Sequence, residues 1–221
     1  EIWQDGKFVT DGEIVVAEFH NNGRTSQAVR FIDKTGRSDY FTPDGHSVRK
    51  AFLRSPVDFR VSSSFNPNRL HPVLKTRRPH RGVDYAAPRG TPIKASGDGK
   101  VIFRGVKNGY GNTVILQHGG NITTLYAHMS GFAAKARVGT RVRQGQTIGY
   151  VGATGLVTGA HLHYEYRLNG VHRNPRTVEL TQADPIAAEY RERFLAEAAP
   201  ILEELERFKR TQVATVAYNT Q

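Results

Sequence analysis

The stretch Gly159-Ala160-His161-Leu162-His163-Tyr164-Glu165 constrains this chain more than any other. Two histidines two residues apart, in a run of alternating character, put both imidazoles on one face of a β-strand. That aims two nitrogens at a single point, as two ligands or as one ligand and one proton carrier. Upstream, His80-Arg81-Gly82-Val83-Asp84 sets a histidine and an aspartate four residues apart. Such spacing shares one face of a helix or one face of a strand, and Pro79, Gly82, Val83 and Pro88 favour the strand. His128 ends a third run, Ile122-Thr123-Thr124-Leu125-Tyr126-Ala127-His128. Strict alternation places it on the face of Ile122, Thr124 and Tyr126.

Composition limits what these groups can do. The chain has 221 residues and no cysteine. Disulfides and thiolate metal sites are therefore excluded, and any metal must use His, Asp or Glu. A length of 221 allows one full domain and a smaller partner. With 38% hydrophobic and 23% charged residues the composition is that of an ordinary soluble protein, and no apolar run reaches membrane-spanning length. Glu1 opens the chain without a signal-peptide pattern, as expected of a mature or excised fragment. The net charge of +11 implies an acidic partner: nucleic acid, anionic lipid or an acidic polymer such as cell wall. Residues 185–221 hold six acids and five bases, so the excess lies before them. The bases are scattered and no zinc-finger or RRM-type aromatic signature is present, which disfavours nucleic acid.

Residues 1–52 read as short strands punctuated by turns at Asp5-Gly6, Asp11-Gly12, Asn21-Asn22-Gly23 and Asp44-Gly45, with Ile14–Phe19 a strong strand. The segment is too short for a comfortable core of its own and suggests the end of a preceding domain. Residues 53–180 form the main unit. Val61–Phe65 is a candidate strand, followed by a basic loop at Lys75, Arg77 and Arg78. From Thr91 to Gly152, runs at Pro92–Ala95, Lys100–Arg104, Thr113–Gln117, Ile122–His128, Arg141–Val142 and Thr147–Val151 are separated by glycines at hairpin spacing. The fold class is mainly β: a small antiparallel sheet domain with an N-terminal β segment and C-terminal helices. Residues 181–221 supply the helices. Asp184 is placed as cap and Pro185 in the first turn, Pro200 should kink or split the helix, and 211–221 reads as a tail or one added strand.

Two imidazoles and one carboxylate leave an open zinc position for water, the arrangement of a catalytic site. A proton acceptor is still needed, and no His-Glu-x-x-His motif supplies a glutamate for it. The spare histidines are the natural candidates. Spacing alone does not decide whether His161 or His163 is the ligand.

His80-x-x-x-Asp84, Tyr-Ala-His128 and His161-x-His163, in that order, resemble the LytM/lysostaphin-type zinc endopeptidases. Gly90-Thr91-Pro92-Ile93, Gly109-Tyr110-Gly111-Asn112 and Gln144-Gly145-Gln146 add to the likeness, which runs from about Phe59 to Pro175. The resemblance implies Zn2+ held by His80, Asp84 and His163, with His128 and His161 in catalysis. It implies a groove in a small antiparallel β-core and hydrolysis of peptidoglycan cross-links at D-Ala–meso-diaminopimelate, in the periplasm or cell envelope. A regulatory envelope protein is a further expected partner. Asn66, Arg69 and His71 resemble a segment beside the groove, where Arg69 is suited to a substrate carboxylate.

Blander readings accompany these. Each histidine alone fits a hydrogen-bonded core or surface residue, and Glu165 fits a strand salt bridge as well as a partner that orients a histidine. Tyr110, Gly111 and Asn112 read as turn formers, and His118 and His172 as surface residues. Two other classes compete. One is an inactive LytM-type module that binds the wall and activates an amidase, although such modules lack ligands that are present here. The other is a biotinyl- or lipoyl-like carrier, which needs a Met-Lys tip, whereas Met129 precedes Ser130.

Overall fold

The computed structural model describes residues 2–69 and 79–218. His71 and the basic positions Lys75, Arg77 and Arg78 lie outside them. Residues 1–50 with 182–221 make one compact unit, and residues 51–181 make the other. The architecture is mainly β and antiparallel, as the glycine-punctuated runs predict.

The first unit holds β1 (Ile2–Gln4), β2 (Lys7–Thr10), β3 (Val16–Asn21), β4 (Arg24–Ile32), β5 (Ser38–Phe41) and, late in the chain, a helix. Asn22 and Gly23, with φ of 48° and 73°, make the tight turn that joins β3 to β4. One face of the β3–β4–β5 sheet is covered by the C-terminal segment, so Val29, Phe31 and Phe41 share a core with Ile186, Phe194 and Ala198. Phe194 is fully buried, its ring 5.7 Å from those of Phe31 and Phe41.

The helix, α1, spans Ala188–Tyr218 and departs from the sequence reading in three ways. It starts after Ile186 rather than at Pro185. The Ile186 N–H is committed to the Gly45 carbonyl at 2.9 Å, which keeps the segment extended while the Ile186 side chain enters the core. It also runs through Pro200 without a break: Pro200 is exposed, and Phe194 and Ala198 before it and Ile201 and Leu202 after it all pack on the sheet. Packing here outweighs the lost backbone hydrogen bond. Finally, residues 211–218 are helical rather than a tail or strand.

The second unit contains β6 (Val61–Ser63), β7 (Val83–Tyr85), β8 (Pro92–Lys94), β9 (Gly99–Lys107), β10 (Gly111–Gln117), β11 (Ile122–Phe132), β12 (Arg141–Val142), β13 (Thr147–Val151), β14 (Leu162–Leu168) and β15 (Val171–Arg173). The main sheet runs in the order β12-β9-β10-β11-β14-β7-β6, with β13 joining β11 to β8 and β15 pairing with β14. β14 is buried on both faces over its first five residues. Leu162 and Tyr164 enter the apolar core with Val83, Tyr85, Val114, Leu116 and Tyr126. The Tyr126 and Tyr164 hydroxyls both reach Ser96 Oγ, at 2.7 and 2.9 Å. His163 and Glu165 take the opposite face.

His118 is not a surface residue. It is 6% exposed, donates from Nδ1 to the Asp98 carbonyl at 2.6 Å, and has Nε2 2.8 Å from Thr124 Oγ1. Burial lowers its pKa, which keeps this core imidazole neutral.

Candidate metal centre

Three adjacent strands build the site. Ala127 of β11 pairs with His163 of β14, which pairs with Asp84 of β7, so these three share one face of the sheet. His80 lies just before β7 and is held by a two-way backbone pairing with Asn66, at 3.0 and 2.8 Å. His80 Nε2 lies 3.1 Å from Asp84 Oδ1 and 3.3 Å from His163 Nδ1, and His163 Nδ1 is 2.7 Å from the same Asp84 oxygen. A Cβ on Gly82 would fall 2.4 Å from the Tyr164 carbonyl oxygen and 2.8 Å from the His163 ring. Only glycine lets the segment between His80 and Asp84 pass this close.

His128 arrives by a different route from the one alternation suggests. Tyr126 pairs with Tyr164, on the face away from the site. Strict alternation would send His128 there too. Instead the β10–β11 register slips, so that Thr113 faces both Ala127 and His128, and His128 takes φ of 61°. This is a bulge that re-aims one side chain, at a strain cost of about 1–3 kcal/mol. The His128 ring ends 4.8 Å from that of His161 and 5.9 Å from that of His163.

A carbonyl oxygen only accepts, so each ring nitrogen facing one must carry its hydrogen. His80 Nδ1 donates to the Ser64 carbonyl at 2.7 Å, His128 Nδ1 to the Thr154 carbonyl at 2.8 Å, and His161 Nδ1 to the Gly159 carbonyl at 3.0 Å. A neutral ring held this way carries its lone pair on Nε2, whereas His80 Nε2 faces the acceptor-only Asp84 oxygen, so a hydrogen or a cation must stand between them. His163 is reversed: its Nε2 faces Glu165 Oε1 at 3.1 Å, leaving Nδ1 toward Asp84. None of the three carbonyls could be foreseen from residue types.

The electrostatics follow from this packing. Burial pushes the Asp84 carboxyl up, but hydrogen bonds from His163 and His80 outweigh it and hold the group well below its usual range. Burial lowers His163, yet the Asp84 and Glu165 carboxylates raise it to about 9. Glu165, raised by burial, is pulled down to about 2 by His163, Tyr110 and Arg167. His128 is driven down to about 4, chiefly by burial, and stands as a neutral imidazole at pH 7.

His80, Asp84 and His163 each offer one ligand atom, and these atoms lie within 4.8 Å of one another. Two imidazole nitrogens and one carboxylate oxygen, with the outward ring nitrogens of both histidines already engaged, fit a divalent cation of borderline softness. His161 Nε2 is farther off, 3.9 Å from Asp84 Oδ1, and is 21% exposed.

Asn66 sits beside the site through its backbone pairing to His80, while its side-chain oxygen accepts the Asn68 N–H at 3.0 Å. The Arg69 N–H reaches the Asn66 carbonyl at 3.4 Å, which closes the same turn. Tyr110, Gly111 and Asn112, read as turn formers, are part of the site's frame. The Tyr110 carbonyl accepts the His128 N–H at 2.9 Å, and its hydroxyl donates to Glu165 at 2.7 Å. His172 likewise is half-buried against Glu165, 3.1 Å away, rather than loose on the surface.

The profile of Peptidase family M23 matches residues 78–175, a span that contains His80, Asp84, His128, His161 and His163. The chain carries a Peptidase family M23 domain. It is 48% identical over 205 residues to the peptidoglycan DD-endopeptidase ShyC of Vibrio cholerae, covering 92% of this chain and 46% of that protein. With the DD-carboxypeptidase/endopeptidase Mpg of Neisseria meningitidis it shares 45% identity over 193 residues, covering 82% of this chain and 44% of Mpg. Among solved structures, a zinc-containing peptidase from Vibrio cholerae matches with a TM-score of 0.57 at 34% identity, over 76% of this chain and 51% of that one. Helicobacter pylori Csd3 matches with a TM-score of 0.52 at 36% identity, over 95% and 56%. The M23 chain thus spans about half the length of these relatives. Among its described residues, no helix is long and apolar enough to cross a membrane.

Proposed function

We propose that this chain is a zinc-dependent endopeptidase that hydrolyses peptide cross-links of peptidoglycan, at D-Ala–meso-diaminopimelate, in the periplasm. The observation that carries the reading is the meeting of His80 Nε2, Asp84 Oδ1 and His163 Nδ1 beside two more histidines, each tied to a backbone carbonyl through Nδ1. His80, Asp84 and His163 would hold the ion. Bound there, zinc supplies a Lewis acid that polarises a carbonyl and acidifies water.

The remaining steps belong to the protein. His128 and His161 present Nε2 lone pairs able to take a proton from the attacking water and return it to the leaving amine. Their Nδ1 hydrogens are fixed on backbone carbonyls, so neither ring needs to turn during the reaction. A neutral His128 is in the right form to accept a proton at pH 7. Asn66 and Arg69 would meet the substrate, with the guanidinium on a stem-peptide carboxylate. The net charge of +11 suits an acidic polymer.

The names of ShyC and Mpg support the choice of bond. Mass spectrometry of a digest of purified D-Ala–meso-diaminopimelate cross-linked dimers tests it. Monomeric muropeptides are the expected product. Intact dimers together with cleaved pentaglycine bridges would overturn the substrate, and no cleavage at full zinc occupancy would favour a wall-binding module.

A further inference from the structure

Glu165 is fully buried, in contact with His163, and has no part in the proposed reaction. The simplest account of it is an ion pair with Arg167 on the same strand. Its two oxygens argue otherwise. Oε2 faces away from the site: Arg167 donates to it from Nε at 2.9 Å and from Nη2, and His172 Nε2 lies at 3.1 Å. Oε1 faces only the site, accepting Tyr110 Oη–H at 2.7 Å and His163 Nε2–H at 3.1 Å. A strand salt bridge uses one oxygen and does not require the other to be delivered to an imidazole.

The other three histidines of the site show why this matters. His80 Nδ1 lies 3.2 Å from Ser63 Oγ, but it, like Nδ1 of His128 and of His161, is oriented by a main-chain carbonyl. No side-chain substitution removes such an acceptor. His163 alone among them offers Nδ1 inward, so its outward nitrogen is Nε2, and a side chain meets it. Both nitrogens of His163 face carboxylates, and once a cation takes Nδ1 the ring's one remaining hydrogen must sit on Nε2, where Glu165 Oε1 accepts it.

We propose that Glu165, itself held by Tyr110, is a positioning residue that fixes the tautomer and ring orientation of His163 and so makes Nδ1 a metal ligand. The proposal rests on the metal-site reading above. Glu165 touches neither substrate nor ion; it acts through His163. Tyr110 then serves both halves of the site, since its carbonyl also holds the His128 backbone.

The test compares zinc affinity, by competition with a chelating dye, and the visible spectrum of the cobalt-substituted chain for wild type, Glu165→Gln and Tyr110→Phe. Glutamine keeps the volume but offers one acceptor oxygen to the four side chains that now meet two. Zinc affinity should fall roughly 10–100-fold, the usual effect of losing a partner that orients a ligand. The cobalt bands should shift, because the geometry around Nδ1 has changed. Tyr110→Phe leaves Glu165 and every ligand in place, so it guards against misfolding of the first variant. It should produce a smaller loss in the same direction.

Unchanged zinc affinity and cobalt spectra in both variants, with only a lower melting temperature, would make Glu165 a structural ion pair and overturn the proposal. A wild-type chain that binds no zinc would instead overturn the metal-site reading, and this proposal with it.

Discussion

At the scale of single residues, hydrogen-bond direction divides the labour. His80 Nε2 and His163 Nδ1 converge on Asp84 Oδ1, at 3.1 Å and 2.7 Å, while His128 and His161, tied down through Nδ1, turn Nε2 into the remaining space. His128→Ala and His161→Ala should therefore keep zinc and lose turnover by roughly 10²–10⁴-fold, the range for lost acid–base help. Elemental analysis beside a rate assay checks this, and loss of zinc by either variant would make that residue a ligand. The charge balance makes a second prediction. His163 has its folded pKa raised to about 9, so the protonated ring stabilises the fold fully below its ordinary value of 6.5 and less as pH rises through 9. Chelator-treated protein should lose melting temperature across that window. Zinc-loaded protein should not, because the cation replaces the proton between the same ligands. Calorimetry in chelator and in zinc compares the two, and parallel curves would show that His163 carries neither.

At the scale of elements, the second unit was largely legible and its most important deviation was not. Glycines at hairpin spacing located the strands from Pro92 to Val151, because turns need residues that adopt positive φ. His163 stands on β14 and His161 one residue before it, bridged to Gly152, and both turn a ring nitrogen toward Asp84, at 2.7 and 3.9 Å. Alternation puts His128 on the Tyr126 face, where a regular strand would carry it. The bulge opposite Thr113 is invisible to alternation, since it depends on a left-handed residue that is not glycine. What supports it is a pair of loops. Gly111, with φ of 65°, passes so near Thr154 that a Cβ would lie 2.3 Å from the Thr154 carbonyl carbon, and Thr154 is the residue whose carbonyl holds His128. Gly111→Ala should displace that carbonyl, lower kcat by tenfold or more, and leave zinc content near one per chain, a loss of about 1.4 kcal/mol or greater in barrier terms. A variant with normal kcat would show that the loop contact does not position His128.

At the scale of the whole molecule, the two units keep separate cores. The N-terminal strands looked too few to bury a core, and the reason lies at the far end of the sequence: α1 supplies Phe194 and Ala198 to Phe31 and Phe41. No local pattern links segments more than a hundred residues apart, which is why this pairing could not be read from the chain. Phe194→Ala should cost about 3–5 kcal/mol in the first unit, as buried phenylalanines do. Zinc binding should not change, since His80, Asp84 and His163 all lie in the second unit. Denaturant unfolding followed with a zinc assay separates the two effects, and joint loss would contradict independent cores. The central claim, that one ion held by His80, Asp84 and His163 drives peptide hydrolysis, is tested most directly by titrating zinc into chelator-stripped chain while following hydrolysis of a D-Ala–meso-diaminopimelate cross-linked dimer. The rate should rise in proportion to zinc and level off at about one equivalent, a mononuclear site having three protein ligands and one open position. A rate indifferent to zinc, or no hydrolysis at full occupancy, would contradict the account.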